Sequence, residues 1–352
     1  MSTTNSAAPD DRLERYSRQF RFPPIGEAGQ RKLAASRIAV CGCGALGTVL
    51  ANHLVRAGIG FTRIIDRDFI ELHNLQRQIL FDETDVVANL PKAEAAARKL
   101  RAINGDVVIE PVVTDLDSTN ILRLVSDVDL ILDGTDNFET RYLINDAAVK
   151  LGKPWIFGGV IGSEGQTMTI RPGVGPCLRC VIEESPPPGM TPTCETAGVL
   201  GPAVAVIASF EAVEAIKLLT GAHDALNTQL FMVDVWDWSF RRLEIAGLQG
   251  KVDCPCCLHR RFDWLEGLLG SHTTSLCGRN SVQVATRRSE PLDFDALAER
   301  LSPLGEIRRN AFLLKFTADG HEFTVFPDGR AIIKGTSDIA KARTLHAQYI
   351  GN

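Results

Sequence analysis

The residues best suited to chemistry in this chain lie in a glycine-rich turn, residues 42–47 (GCGALG), which follows a short apolar run. In such a turn Gly42 permits a tight bend, Gly44 lets a phosphate approach the backbone, and Gly47 lets a helix pack on the strand. Asp66 ends the next apolar run, nineteen residues after Gly47, where a carboxylate can bind ribose hydroxyls. The spacing therefore predicts a nucleotide site. The alternative is a glycine turn needed only for packing.

Three charged residues further along the chain indicate the kind of nucleotide chemistry. Arg77 lies in the polar loop after Asp66, Lys92 begins the next predicted helix, and Asp136 follows a later buried strand. Asp136 has the charge and the position to hold Mg²⁺. A dinucleotide dehydrogenase has little need of this set, whereas cleavage of a triphosphate needs all three to neutralise developing charge. The alternative for Lys92 is a solvated lysine in a first helical turn, which the helix dipole disfavours.

Four cysteines form two C-x-x-C pairs with the spacing of zinc knuckles. Cys177 pairs with Cys180, and Cys254 pairs with Cys257, which suits tetrahedral zinc in a closed, structural site. Cys256 is a rival to Cys257 as the fourth ligand. We favour Cys257 because its spacing from Cys254 matches the first pair. The alternative for the whole set is ordinary buried or surface thiols.

The composition is typical of a globular protein with a full core. Hydrophobic residues make up 45% and charged residues 23%, and the formal net charge of -5 with no basic block argues against nucleic acid as the main partner. No apolar run has membrane-spanning length, and the polar N-terminus lacks the apolar core of a signal peptide. We therefore expect a cytoplasmic protein that binds neither membrane nor nucleic acid. Nine cysteines in that setting favour metal binding or catalysis over disulfides.

Predicted strands and helices alternate through most of the chain. This pattern predicts an α/β fold with a Rossmann-like, mostly parallel sheet and helices on both faces, plus a small C-terminal α+β domain. Ligands in such sheets bind at the carboxyl ends of strands, which is where the glycine turn, Asp66 and Asp136 fall. The predicted divisions are a disordered segment 1–10, a main domain 11–264, a linker 265–280, and a small domain 281–352 of unknown role.

Several ordered motifs resemble the E1-like activating enzymes of the ThiF/MoeB type. They span roughly residues 13–258 and read RYSRQ, GCGALG, IIDRDFIELHNLQRQ, LPKAEAA, LDGTDNFETR, PCLRC, TCETAGVLGP and CPCC. Enzymes of this type adenylate the C-terminal glycine of a small ubiquitin-like sulfur-carrier protein. The resemblance thus implies the use of ATP and Mg²⁺, a structural zinc, a carrier ending in Gly-Gly, and a homodimer.

The resemblance also implies roles for single residues. Asp66 would bind the ribose, and Asp136 would bind magnesium. Asn74, Arg77 and Lys92 would contact the phosphates. The full predicted ATP-binding set is Gly42, Gly44, Ala45, Gly47, Asp66, Asp68, Asn74, Arg77, Lys92, Asp136 and Asn137.

Two further residues owe their predicted roles to the resemblance alone. Arg18 would reach into the site of the partner chain, although by itself it reads as part of a solvated helix face. Cys194 matches a cysteine that some members use for thioester or persulfide chemistry, and a packing role stays open beside that covalent one. The predicted catalytic set is Arg18, Arg77, Lys92, Asp136 and Cys194.

The sequence also departs from the family pattern. Ala45 stands where many members have a further glycine, and we expect its single methyl group to be tolerated. No rhodanese domain follows the second cysteine pair, so we expect a separate sulfurtransferase. Two other functions compete with this one: an NAD-dependent dehydrogenase with a structural zinc, and a nucleotide-sensing scaffold that uses the tail as an interaction module.

Overall fold

A computed structural model describes residues 11–184, 197–269, 274–276, 280–284, 292–304 and 306–350. The chain divides into two units, Met1–Leu269 and Gly270–Asn352. The division falls inside the stretch 265–280 that the sequence predicts as a linker, and one short strand of the second unit, Thr274–Leu276, also lies in that stretch.

The first unit is built on an eight-stranded sheet whose strands follow the order β3-β2-β1-β4-β5-β6-β7-β8. Strands β1 to β5 pair in parallel, and β6, β7 and β8 continue the sheet antiparallel. The strands are β1 Arg37–Cys41, β2 Phe61–Ile65, β3 Val108–Val112, β4 Leu130–Asp133, β5 Trp155–Ile161, β6 Glu164–Ile170, β7 Gln229–Asp234 and β8 Ser239–Glu244.

Helices cover both faces of this sheet, because the strands carry apolar side chains on both sides. The helices of the first unit are α1 Asp11–Glu14, α2 Ser17–Phe20, α3 Gly26–Ala35, α4 Ala45–Ala57, α5 Glu83–Val87, α6 Lys92–Ile103, α7 Ile121–Val125, α8 Phe138–Leu151, α9 Leu178–Val181 and α10 Gly201–Thr220. One core joins α3, α4 and α10 to the sheet, and the other joins α7 and α8 to the opposite face. The predicted α/β fold with a mostly parallel, helix-covered sheet is confirmed.

The second unit is a smaller antiparallel sheet with two helices. Its strand order is β11-β12-β13-β14-β10-β9, and apolar side chains from the sheet and both helices form one core. The elements are β9 Thr274–Leu276, β10 Ser281–Val284, α11 Phe294–Leu301, β11 Ile307–Arg309, β12 Leu314–Ala318, β13 His321–Val325, β14 Ala331–Lys334 and α12 Ile339–Tyr349. The predicted small α+β domain is confirmed in its type.

Among the described residues, no helix has the length and apolar character that crossing a membrane requires. Helix α10 comes nearest in length, but it packs against α4, β5 and β6 within the first unit. Its buried residues include two glutamates, Glu211 and Glu214.

A stability experiment tests the packing role of the glycine turn. A Cβ atom on Gly47 would lie 1.9 Å from the Gly42 carbonyl oxygen, so Gly47→Ala should lower the free energy of unfolding by about 2–3 kcal/mol. Gly44→Ala is the matched control, because a Cβ atom there meets nothing closer than 3.9 Å and the φ angle is -84°. Denaturant unfolding measures both variants. Equal stability of the two would contradict the proposed crowding at Gly47.

Candidate active site and metal centre

The glycine turn joins β1 to α4 at the carboxyl edge of the sheet. Gly42 has a φ angle of +90°, a conformation that only glycine adopts without strain, and its N–H donates to the Ile65 carbonyl at 2.8 Å. Helix α4 then starts at Ala45 with no side-chain cap on its first N–H groups. An uncapped helix N-terminus beside a glycine turn presents donors and a positive dipole end to an anion.

Asp66, at the end of β2, is tied to the backbone of the glycine turn. One carboxylate oxygen accepts from the Cys43 N–H at 2.6 Å, and the other accepts from the Asp68 N–H at 2.7 Å. Burial raises the pKa of Asp66, and the nearby Lys92 ammonium opposes this shift. The two hydrogen bonds fix the carboxylate at the mouth of the turn, where the sequence predicts the ribose acid.

Lys92 is buried, contrary to the alternative of a solvated lysine. Its Nζ atom lies 3.0 Å from Asp68 Oδ2, and its side chain is only 6% exposed. Burial alone would lower the pKa of Lys92, but the carboxylates of Asp68, Asp66 and Asp136 raise it. Lys92 therefore stays a cation at the centre of three acids.

The loop after Asp68 brings two more predicted residues to this edge. Asn74 is buried in a short 3₁₀ helix, Leu72–Asn74, where its Oδ1 atom accepts from the Glu71 N–H at 3.0 Å. Arg77 donates to the His73 carbonyl at 3.0 Å. A Cβ atom on Gly201 would lie 3.7 Å from the Arg77 Cα, so Arg77 lies at the start of α10.

The loop after β4 touches the glycine turn directly. A Cβ atom on Gly42 would lie 2.7 Å from the Gly134 carbonyl oxygen, so the two backbones are in contact. Asp136 is exposed on this loop and close enough to Lys92 to raise its pKa. Asn137 caps α8 by accepting from the Thr140 N–H at 2.9 Å. The loops after β1, β2 and β4 thus meet at one edge, together with Lys92 and Arg77.

Arg18 lies far from this edge in its own chain. It is exposed on α2, and the next residue, Gln19, donates to the Ala57 carbonyl at the last turn of α4. Because α4 rises about 1.5 Å per residue, its two ends are ~20 Å apart. The glycine turn is at the first end and Arg18 at the other. Cys194, the other residue whose role came from the resemblance, lies outside the described residues.

Asp133 and Arg141 are part of this edge, although neither is among the site residues predicted from the sequence. Asp133 ends β4 fully buried, accepts from the backbone N–H and hydroxyl of Thr135, and accepts from Arg141 Nε at 3.0 Å. Arg141 also donates to the carbonyls of Thr135 and Gly158, both at 2.9 Å. The pair holds the loop that carries Asp136. In the sequence, the signal for this pair is the charged residue that ends the apolar run 128–133 (VDLILD).

The four cysteines of the two C-x-x-C pairs converge in one cluster. The sulfur atoms of Cys177, Cys180, Cys254 and Cys257 all lie within 4.8 Å of one another. The shortest separation is 3.3 Å, between Cys180 and Cys257. Hydrogen bonds from the Cys177 and Cys180 thiols lower the pKa of Cys254, and the N–H groups of Cys257 and Cys256 lower it further. Four clustered sulfurs with such donors are compatible with a tetrahedral zinc site.

Cys256 is not one of the four sulfurs of this cluster, although it borders them. It is fully buried, its sulfur accepts from Asn145 Nδ2 at 3.3 Å, and it also interacts with Asp146 and Cys177. The Oδ1 atom of the same Asn145 accepts from the Leu178 N–H at 2.9 Å, beside the first cysteine pair. This arrangement favours Cys257 over Cys256 as the fourth ligand. No sequence motif indicates Asn145. The sequence indicates it only as a polar residue on the apolar face of α8.

Comparison with known proteins gives a family match and close relatives. Residues 16–256 match the ThiF family. The chain is 43% identical over 338 residues to the sulfur carrier protein ThiS adenylyltransferase of Bacillus subtilis, covering 96% of this chain and 99% of that protein. It is 40% identical over 252 residues to the sulfur carrier protein adenylyltransferase of Thermus thermophilus, covering 70% of this chain and 91% of that protein.

Among solved structures, E. coli MccB with MccA-N7isoASN superposes with a TM-score of 0.59. The sequence identity is 24%, and the superposition covers 69% of this chain and 74% of that one. At this identity the likeness concerns the fold alone.

Metal analysis of cysteine variants tests the centre. We expect about one zinc per chain in the native protein, and loss of zinc in Cys254→Ser and Cys257→Ser because each removes one of four ligands. Cys256→Ser is the matched control and should keep the zinc, since its sulfur faces Asn145. Zinc lost from Cys256→Ser and retained in Cys257→Ser would reverse the assignment.

Proposed function

Because the chain belongs to the ThiF family, we propose that it uses ATP and Mg²⁺ to adenylate the C-terminal glycine of a small ubiquitin-like sulfur-carrier protein. The family membership confirms the resemblance found in the motifs. The observation that carries the proposal is the alignment with the ThiS adenylyltransferase, which is 43% identical over nearly the full length of both chains. The named relatives give no support to the dehydrogenase or scaffold alternatives.

The edge formed by the three strand-end loops is where we place ATP. The N-terminus of α4 and the turn from Gly42 to Gly47 would face the phosphates, and Asp66 would accept from the ribose hydroxyls. Lys92 and Arg77 would supply positive charge to the phosphates at this edge. Lys92 is held by Asp68 and can turn a donor toward a phosphate, because an ammonium has three N–H groups. Asn74, which caps its own turn through Oδ1, keeps its amide donors for the nucleotide.

Asp136 is the acid we assign to magnesium. Its carboxylate is exposed, its loop touches the glycine turn, and the hydrogen bond that it accepts from Asn137 Nδ2 is long at 3.5 Å. Exposed carboxylate oxygens near a polyphosphate are the ligands that Mg²⁺ takes in nucleotide sites. When bound there, the ion would neutralise charge on the phosphates.

The reaction needs placement and charge neutralisation more than proton transfer. An oxygen of the carrier's terminal carboxylate forms a bond to the α-phosphorus while the bond from that phosphorus to the pyrophosphate oxygen breaks, leaving an acyl-adenylate and pyrophosphate. The carboxylate is already ionised at neutral pH, so no general base is required. Lys92 and Arg77 can stabilise the charge that develops on the transferred phosphate and on the leaving group.

An apolar surface at the last strand of the sheet is where we place the carrier. Strand β8 ends the strand order, and its Phe240 side chain is 58% exposed. The Phe240 ring lies 6.4 Å from Phe231, which in turn lies 4.7 Å from the exposed Phe210 of α10. Trp236 and Trp238 extend this surface at the β7–β8 turn, 75% and 81% exposed. Contiguous exposed aromatic surface of this kind is typical of protein-binding sites.

A second copy of the chain would complete the site through Arg18. In its own chain Arg18 is separated from the glycine turn by the length of α4, so it cannot reach its own phosphates. An exposed arginine contributed by a partner would add positive charge there, as an arginine supplied in trans does in other phosphoryl-transfer enzymes. We therefore propose a homodimer with shared sites.

Carrier-dependent ATP–pyrophosphate exchange tests the function. Asp136→Ala should reduce exchange by at least about a hundredfold, because the phosphates lose the metal that neutralises them. Asp106→Ala is the matched control, since Asp106 is an exposed acid on the turn that precedes β3, at the opposite edge of the sheet. If both variants exchange at the native rate, Asp136 does not hold the metal. If the native protein exchanges pyrophosphate with no Gly-Gly carrier, the proposed substrate class is wrong.

Mixed dimers test the shared site. Arg18→Ala and Asp136→Ala chains should each be weakly active, and mixing them should restore up to about a quarter of the native rate at full subunit exchange. The reason is that one of the two sites in a hybrid then carries both native residues. Native mass spectrometry measures the exchange of subunits. Hybrids that form and stay inactive would show that Arg18 acts within its own chain or not at all.

A further inference from the structure

Helix α10 carries a buried acid that the proposed reaction does not use. Glu211 is 0% exposed, and neither of its carboxylate oxygens has a hydrogen-bond partner among the described residues. The other buried acid of this helix, Glu214, is different. Its oxygens accept from the Thr169 hydroxyl at 3.0 Å, the Asn227 N–H at 2.9 Å and Lys217 Nζ at 2.6 Å.

Glu211 packs against Gly158 of β5, the strand that holds Arg141, and Arg141 anchors the loop that carries Asp136. A Cβ atom on Gly158 of β5 would lie only 2.0 Å from Glu211 Oε1, so only a glycine leaves room for the carboxyl group. The carbonyl of that same Gly158 accepts from Arg141 at 2.9 Å. Arg141 in turn holds Asp133 and the Thr135 carbonyl, one residue before Asp136.

The groups around Glu211 and the nearby Asp133 indicate which of these two acids is ionised. Burial raises the pKa of Asp133 as well, but Asp133 accepts three hydrogen bonds, from the Arg141 guanidinium and from the N–H and hydroxyl of Thr135, which oppose that shift and make it the anion of the pair. Glu211 accepts none. Burial raises the pKa of Glu211 well above its usual range, the Asp133 carboxylate raises it further, and Arg141 only partly opposes the shift. The guanidinium of Arg141 can neutralise only one buried carboxylate. A second carboxylate beside it would be buried without a compensating charge, so Glu211 keeps its proton.

Within the described part of the chain, the other elements that pack on α10 offer Glu211 no ion pair. From β5 and β6 the facing residues are Gly158 and its register partner Thr167, which do not titrate. His53 of α4 contacts Ser209 at 3.4 Å, and Lys32 of α3 donates to the Thr220 carbonyl at 2.8 Å. Neither of these pairs with Glu211.

We propose that Glu211 is a positioning residue that works only as a neutral acid. Carrying its proton, it lets α10 lie against Gly158, and this contact keeps Arg141 on the loop that bears Asp136. Ionisation at alkaline pH places a carboxylate where no donor solvates it. The contact between α10 and β5 must then loosen, and the Asp136 loop loses its anchor. The catalytic part of this inference rests on the proposed adenylation.

Thermal unfolding tests the neutral acid independently of any activity. A glutamate whose pKa is raised in the folded chain lowers stability as pH rises above its unfolded pKa of about 4.3, because unfolding then releases a proton. Glu211→Gln keeps the shape and removes this penalty. We expect its Tm to match the native protein near pH 4.5 and to exceed it by at least ~3 °C at pH 8.

Glu214→Gln is the matched control on the same helix. It should lower the Tm at pH 8, because it removes a carboxylate that has three donors. If Glu211→Gln also lowers the Tm or prevents folding, the inference is overturned, since a site built for a neutral acid accepts an amide of the same shape.

The pH profile of carrier-dependent pyrophosphate exchange tests the positioning role. Native activity should decline on the alkaline side while circular dichroism still shows a folded chain. Glu211 is ionised in the folded chain above the pH at which the Tm difference between Glu211→Gln and the native protein stops growing, and there Glu211→Gln should retain at least about threefold more of its pH 7.5 activity than the native enzyme retains. Glu211→Ala should be impaired at pH 7.5 and above.

The outcomes separate this inference from the proposed function. Superimposable profiles of the native enzyme and Glu211→Gln, in a protein that does exchange pyrophosphate, would overturn the positioning role. Absence of carrier-dependent exchange in the native protein would overturn both the proposed adenylation and the positioning role that rests on it. The unfolding experiment would still decide whether Glu211 is held as a neutral acid.

Discussion

The backbone contact among three glycines is the constraint on which the site depends. Gly42, Gly47 and Gly134 approach so closely that a Cβ atom on any of them would lie within 3 Å of another's backbone. This contact joins the loop after β1, the first turn of α4 and the loop after β4. Because the three meet without side chains between them, the N-terminus of α4 and the acidic loop face the same space. A larger residue at any of the three positions would move the N–H groups at the start of α4 away from Asp136, the predicted magnesium ligand.

Charge is arranged around this edge before any nucleotide is bound. Lys92 is buried among three carboxylates and is directly paired with Asp68. A buried ion pair adds little to stability on balance, because desolvation of both charges opposes their attraction. Its value here is positional, since it holds a cation at the depth where phosphates would approach. Preorganised charge of this kind lowers the reorganisation that a reaction must otherwise undergo.

Helix α8 connects the candidate active site to the cysteine cluster. Asn137 caps its first turn, and Arg141 clamps the strand-end loops one turn later. A further turn along, Asn145 holds the backbone at the first cysteine pair and the sulfur of Cys256. The next residue, Asp146, accepts from the Trp264 N–H at 3.0 Å, beyond the second cysteine pair. Residues spaced by four lie on one face of a helix, so one face of α8 serves both regions. The cysteine cluster therefore supports the helix that positions the Asp136 loop.

The sequence alone predicted the parts of the site that depend on short-range geometry. A glycine turn between a strand and a helix, an acid at the end of the next strand and two C-x-x-C pairs are all local patterns. The backbone angles and helix dipoles that they require are set by neighbouring residues. The alternation of strands and helices likewise predicted the sheet, because both faces of each parallel strand must be covered. For the same reason, the acids that follow β2 and β4 could be placed at one edge before the structure was known.

Only the tertiary structure decided which charges are buried and which residues meet. The sequence left open a solvated Lys92, although the helix dipole disfavours it, and the burial of Lys92 follows from how α6 packs. The separation of Arg18 from the glycine turn depends on the length of α4 and on the docking of α2 at its far end. Cys256 and Cys257 are adjacent in sequence, but Cys256 contacts Asn145 on a distant helix whereas Cys257 joins the sulfur cluster. Glu211 is a polar residue in an apolar helix. Its burial against Gly158, close to Asp133, brings together residues more than fifty positions apart in the chain. Local spacing cannot encode such contacts, because each depends on the packing of elements that are distant in sequence.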